Sequence, residues 1–420
     1  MINTITEFTN AEQNMFHVFT KDTEKLHQVI TDGFQNVYWY NEVAGLVNAT
    51  TKEQKYASLM DLEQLLKPNT LFVIECLPDT HTNKLILRNI SNNYNYKSST
   101  IILLNPLFTP TYISQELHLS TPDITEILGI ASLLMNDEVL AQFVSNPLMP
   151  RTLLGLTSTQ IRITLKRILN KFNYVGLDHL PILQEAKSSN IGLLEYIRNT
   201  QVSLGGMFNF KQWLTESNPT RGVLLTGIPG TGKSISAKYI AQTKNLPLYR
   251  LDIGKIFGSL IGETEKNMRE LINTLKNLHE GVVWIDEIEK SLAVGNRDNT
   301  VDIRVTGSLL TYLSDRTDKL FFVATANDVT RLPAELLRTG RFDKIIFVDI
   351  PTEYEREDIL KRKYPCKSIN EIETLVELTK DYTGAEINEL EHKPTPISKL
   401  MPERINQLRN WARERQIPVA

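Results

Sequence analysis

The stretch that most limits how this chain can fold is Gly227-Ile228-Pro229-Gly230-Thr231-Gly232-Lys233-Ser234, which fills the pattern G-x-x-x-x-G-K-[ST] in full. An apolar run, Val223–Thr226, precedes it, and a helical pattern with Ile235, Ala237, Ile240 and Ala241 comes after. Strand, glycine loop and helix in that order place the helix N-terminus at the end of the strand. The glycines let backbone N–H groups curl around phosphate oxygens, Lys233 reaches the β and γ phosphates, and Ser234 ligates magnesium. The alternative is a chance glycine turn, which background frequencies give about one or two times in a hundred for a chain this long. The strand before and the helix after favour the phosphate loop.

The rest of the second half agrees with that start. Apolar runs at Val223–Thr226, Pro247–Leu251, Val282–Ile285, Leu320–Thr325 and Ile345–Val348 mostly alternate with helical patterns. This predicts an α/β fold with a five-stranded parallel sheet covered by helices on both faces. The third run ends in Asp286-Glu287, at the C-terminal rim where open α/β sheets bind ligands. Asp286 would hold magnesium directly or through water, and Glu287 would polarise the water that attacks the γ-phosphoryl group. An ordinary acidic helix cap is the competing reading. Glu353–Lys363 and Ser368–Lys380 then read as two amphipathic helices of a small lid.

The whole chain has 420 residues, enough for about two or three domains. Its formal charge of −3, from 46 basic and 49 acidic residues, gives no reason to expect sequence-independent attraction to nucleic acid or anionic membrane. Arg162, Lys166, Arg167 and Lys171 fit a solvated helix face better than a nucleic-acid stripe. The two cysteines, Cys76 and Cys366, lack the spacing of a zinc site or a disulfide framework, which points to a reducing compartment. No histidine falls in a metal-binding pattern. Apolar runs such as Ile101–Leu104 stop far short of the roughly 20 residues that cross a bilayer. The N-terminus has neither an apolar signal core nor an Arg-rich, acid-poor transit pattern, so the protein is expected to work where it is made.

The first half reads as mixed α/β, with strands at Thr70–Leu77 and Ser99–Asn105 and helical patterns after Pro122 and over Thr157–Leu169. Polar Lys187-Ser-Ser-Asn190 marks a change of texture. The expected domains are 1–190, an α/β domain without nucleotide; 191–351, the phosphate-loop core; and 352–420, a shortened lid with a C-terminal helix. The lid is shortened because Pro394 and Pro396 close the helix begun at Gly384. Pro402–Gln416 can still form a helix whose Ile405, Leu408 and Trp411 share a face and dock on the body.

The phosphate loop, the acidic strand end and the segments C-terminal to them resemble the AAA ATPase family over roughly Leu204 to Glu391. The resemblance implies Mg-dependent ATP hydrolysis coupled to remodelling of a protein client, in a homo-oligomer that is a hexamer by family habit. It implies that Asn327, ending Leu320-Phe-Phe-Val-Ala-Thr-Ala-Asn327, senses the γ-phosphate. Arg338 and Arg341, within Leu332-Pro-Ala-Glu-Leu-Leu-Arg-Thr-Gly-Arg-Phe-Asp343, would be arginine fingers entering a neighbour's site. Gly384 and Ala385 would carry the lid's contact with nucleotide, a small residue standing where other clades use arginine. Gly258–Glu265 resembles the family's central-pore loop, but Leu260 replaces the usual aromatic and weakens the case for gripping polypeptide. The whole pattern is similar to AAA proteins encoded in plastid genomes and cyanobacteria, which implies a soluble protein of the chloroplast stroma or otherwise the cytoplasm. A slow nucleotide-dependent switch and, further off, a nucleic-acid-dependent ATPase are the rival readings.

The first half also reads as a worn copy of the second. Thr70–Cys76 would parallel Val282–Glu287, Ser99–Asn105 would parallel Leu320–Asn327, and Leu156–Gln160 would parallel the lid segment Tyr382–Glu386. The Gly-Lys-Ser signature is absent around Val37–Gly45, where a phosphate loop would belong. An unrelated α/β adaptor is the alternative, and the two strand orders decide between them.

Overall fold

The computed structural model describes residues 15–34, 36–41, 45–55, 59, 70–75, 77–92, 99–105, 116–188, 193–198, 201–256, 263–292, 300–338, 340–392 and 394–420. Cys76 and the pore-loop segment around Leu260 lie outside these residues. By packing, the chain divides into one compact unit of residues 1–130 with 156–163 and another of 131–155 with 164–420. Residues 131–155 and 164–190, assigned above to the N-terminal domain, therefore group by contact with the second unit.

The first unit is built on a seven-stranded sheet. Its strands are β1 Met15–Phe19, β2 Asn36–Asn41, β3 Gly45–Asn48, β4 Gln54–Lys55, β5 Thr70–Glu75, β6 Thr100–Leu104 and β7 Glu116–His118. The parallel strands lie in the order β7-β1-β6-β5-β2, and β3 and β4 add an antiparallel edge. Side chains alternate between two cores, as the period of a strand requires. Phe72, Ile74, Ile101 and Leu103 pack on one face with Leu87 and Ile90 of helix α2, His81–Asn92. Leu71, Val73, Ile102 and Leu104 pack on the other with Leu26 and Ile30 of α1, Thr23–Gly33.

The second unit holds β8 Leu194–Ile197, β9 Gly222–Gly227, β10 Leu248–Leu251, β11 Glu280–Ile285, β12 Lys319–Ala326 and β13 Lys344–Val348, in the order β13-β9-β12-β11-β10-β8. The five strands from β9 onward are all parallel, while β8 adds an antiparallel edge beside β10 that the sequence pattern does not suggest. Both faces of this sheet are buried. Leu224, Tyr249, Val283 and Phe322 enter one core, and Val223, Leu248, Val282 and Phe321 enter the other. The flanking helices used below are α3 Lys233–Lys244, α4 Glu263–Asn277, α5 Thr300–Asp315, α6 Glu353–Lys363, α7 Ile369–Leu378 and α8 Pro402–Glu414. Reciprocal capping boxes, Thr352 with Glu355 and Ser368 with Glu371, start α6 and α7. The next lid helix is short, Gly384–Asn388, and ends before the prolines. Ile405 and Leu408 of α8 are buried in the core of the sheet, with Trp411 packed beside them.

Numbering only the parallel strands of each sheet in chain order gives 5-1-4-3-2 in both units. β5 and β6 thereby match β11 and β12, the pairing read from the sequence. The site of a would-be phosphate loop needs correction, because the first parallel strand is β1 and Val37–Asn41 lies within β2. The matching turn is Thr20-Lys21-Asp22 at the start of α1. There Asp22, 1% exposed, accepts hydrogen bonds from Lys25 N at 3.0 Å, Ser158 N at 2.6 Å and Ser158 Oγ at 2.7 Å. This helix N-terminus is filled by the chain's own carboxylate.

Candidate functional site

β9 runs into the phosphate loop, and α3 begins at Lys233. Gly230 (φ +78°) and Gly232 (φ +101°) hold left-handed backbone that side chains rarely adopt. A Cβ on Gly230 would also meet Thr383 Oγ1 at 2.9 Å and Ala385 Cβ at 3.2 Å. The lid therefore sits directly on the loop, and Ala385 N donates to Gly230 O at 2.9 Å.

Lys233 is buried, with Nζ donating to the Gly227 and Ile228 carbonyls at 3.0 and 2.6 Å. Burial pushes its ammonium down to about 8, against the opposing pull of Glu289, Asp286 and Glu287. Ser234 Oγ donates to Asp286 Oδ1 at 3.0 Å, and Thr325 Oγ1 donates to the same oxygen at 2.7 Å. Thr325 in turn accepts from Glu287 N at 2.9 Å, at a residue whose φ is +49°. Asn327 Nδ2 donates to Glu287 Oε1, and Asn327 N donates to Glu289 Oε1, each at 2.9 Å. Burial raises the Glu289 carboxyl, partly offset by that Asn327 N–H.

Lys233, Ser234, Asp286, Glu287, Thr325 and Asn327 line one cavity of about 710 Å³ that also takes in Leu204 and Gly205 from the segment before β9, Ile359 and Arg362 from α6, and Gly384 and Ala385. A larger hollow of about 1090 Å³ between α4 and α5 contains no residue of the phosphate loop. Size alone does not locate the chemistry. Pro229, Gly230, Thr231, Gly232, Lys233, Ser234, Asp286, Glu287, Asn327, Gly384 and Ala385 are thus brought together from distant parts of the chain. Gly227 and Ile228 stand behind them as the carbonyls that hold Lys233. Arg338 and Arg341 are not brought there. Arg338 is exposed, and Arg341 Nε donates to Ser314 Oγ at 3.1 Å, away from the cavity.

Sequence reasoning passes over Thr325, Glu289, Leu204 and Gly205. The signal for Thr325 is a hydroxyl interrupting the apolar run of β12; for the linker it is the paired glycines of Leu204-Gly-Gly-Met207.

The family model for the "ATPase family associated with various cellular activities (AAA)" matches residues 223–350. The chain is 32% identical to the AAA domain-containing protein ycf46 of Pyropia yezoensis, over 88% of this chain and 84% of that one. The corresponding ycf46 protein of Guillardia theta is 31% identical over 90% of this chain and 84% of its own. Protein CdcH of Halobacterium salinarum is 32% identical over 44% of this chain and 26% of its own length. With a phosphate loop on a 5-1-4-3-2 sheet and a likeness to the two ycf46 proteins that extends along most of their length, the chain belongs to the AAA ATPase family.

Proposed function

We propose that the second unit binds Mg-ATP in the 710 Å³ cavity and hydrolyses it, and that the cycle drives remodelling of a protein partner. The observation that carries the reading is the shared Asp286 oxygen, on which Ser234 and Thr325 converge beside Lys233 and Glu287. A hydroxyl and a carboxylate in contact are hard oxygen donors of the kind magnesium takes when substrate phosphates and water complete its shell. Among the described residues no cluster of three or more His, Cys, Asp or Glu could hold a metal by itself. Ser234 and Asp286 would hold an ion that arrives with the nucleotide, and its charge would offset that of the phosphate oxygens.

The protein's own groups then divide the work. Loop N–H groups and Lys233 would bind the phosphates, Leu204, Gly205 and Ile359 line the same cavity, and Gly384 and Ala385 would bring the lid onto the nucleotide. Glu287 accepts the proton of the attacking water, and Asn327 positions both that carboxylate and the γ-phosphate. Arg338 and Arg341, remote from the cavity of their own chain, serve a neighbouring subunit. In the first unit Asp22 occupies the turn where phosphate would sit, and we assign that unit to partner contact without nucleotide. The ycf46 relatives are plastid-encoded, which supports work in the chloroplast stroma. No helix among the described residues is long and apolar enough to cross a membrane.

A slow nucleotide-dependent switch is the second reading, favoured by the short lid helix Gly384–Asn388. Subunit mixing tests the first. Glu287→Gln should bind ATP without turnover, and Arg341→Ala should bind ATP with reduced turnover. Mixed, the two variants regain activity if arginine acts across subunits, because some interfaces then pair an intact Glu287 with an intact Arg341. Mixtures that stay inactive, with a monomeric wild type turning over at a rate independent of concentration, would select the switch.

A further inference from the structure

Both carboxylate oxygens of Glu287 are engaged. Oε1 accepts from Asn327 Nδ2 at 2.9 Å, and Oε2 accepts from Lys290 Nζ at 2.5 Å. Lys290 reaches that position through a tight turn in which its N–H donates to the Glu287 carbonyl at 2.9 Å. The turn opens from the left-handed backbone of Glu287. Asn327 and Glu287 line the phosphate cavity and Lys290 does not; its side chain is 67% exposed, against 36% for Glu287. One donor to the carboxylate thus belongs to the cavity wall and the other to the solvent surface.

We propose that Lys290 is a positioning residue that latches Glu287 at rest, and that Oε2 must leave Lys290 before Glu287 can work on a water in the cavity. The inference rests on the assignment of Glu287 as the water-polarising residue. A carboxylate that is to take a proton needs a lone pair aimed at the water, and the ammonium turns Oε2 toward the surface instead. An exposed ion pair shifts an equilibrium by a factor of only about 1.4 to 5, so the latch slows turnover without abolishing it. Its strength also depends on salt, because exposed charges are screened.

The test uses the full chain as wild type, Lys290→Ala, Lys290→Arg and Glu287→Gln, with steady-state ATP turnover and equilibrium ATP binding measured for each. Lys290 is exposed, so its truncation leaves no cavity. The latch predicts that Lys290→Ala raises kcat about 1.4- to five-fold at unchanged KM, and that Lys290→Arg stays at the wild-type level. It also predicts that wild-type kcat climbs between about 0.05 M and about 0.5 M KCl, while Lys290→Ala stays flat. A Lys290→Ala kcat equal to or below wild type overturns the latch, and a fall rescued by arginine would assign Lys290 to productive alignment of Glu287 instead. If Glu287→Gln is inactive while Lys290→Ala is no faster than wild type, the latch alone fails. If Glu287→Gln turns over like wild type, the assignment of Glu287 fails and the latch falls with it.

Discussion

Thr325→Val tests how the site is held, because it removes one oxygen at constant shape. The Thr325 hydroxyl, 1% exposed, bridges two strand ends: it accepts from Glu287 N and donates to Asp286 Oδ1. Valine leaves the Glu287 N–H without its acceptor, a loss of about 1–3 kcal/mol for a buried donor. The Asp286 carboxylate loses a hydrogen bond worth about 1.5–3 kcal/mol, partly made good by Ser234 and water. A net loss of about 2–4 kcal/mol results, which for a unit of this size lowers the melting temperature by roughly 5–10 °C. The transition to monitor is the one that ATP moves upward, since ligand binding stabilises only the unit that binds it. The same backbone carries the Glu287 carboxylate, and a displacement near 1 Å can cost about 100-fold in rate. Thr325→Val should therefore reduce kcat at least about ten-fold with ATP affinity within a factor of about three, and Thr325→Ser should restore most of it. A Thr325→Val protein that melts and turns over like wild type would refute the claim that this hydroxyl fixes Glu287.

Other consequences can be measured directly. The Lys233 ammonium at about 8 is mostly charged at pH 7 and mostly neutral at pH 9. Phosphate favours the charged form, so binding takes up protons near pH 8, and ATP affinity should fall by up to about ten-fold between pH 7 and 9. Titration calorimetry in buffers of different ionisation heat would show the uptake, and Lys233→Met should remove it along with most of the affinity. Asp22→Ala deprives Lys25 N, Ser158 N and Ser158 Oγ of their acceptor, so the first unit should lose about 2–4 kcal/mol. Hydrogen exchange would then rise in β1 and α1, while ATP binding by the second unit stays at the wild-type level.

How much of the site is legible in the sequence depends on how far apart the partners lie. The phosphate loop is one contiguous octapeptide whose residue types suit phosphate binding between strand and helix, and Asp286-Glu287 closes an apolar run that reads as a strand. Thr325 cannot be assigned that way, because its contacts with Asp286 and Glu287 span 39 and 38 residues and exist only once β11 and β12 lie side by side. The bond between Ser158 and Asp22 spans 136 residues and is equally hidden. β1 escapes notice for a different reason. Met15-Phe-His-Val-Phe19 is five residues with a histidine at its centre, too short and too mixed for a period to emerge, although His17 is fully buried. Without β1 in the count, the expected position of a phosphate loop shifts by one strand. That the unit still has the 5-1-4-3-2 order shows what the order depends on. Alternating apolar side chains on β5 and β6 bury both faces whether or not phosphate is bound, and the N-terminus of α1 needs only a negative group. Asp22 supplies that group from within, so this helix end is satisfied without a bound phosphate.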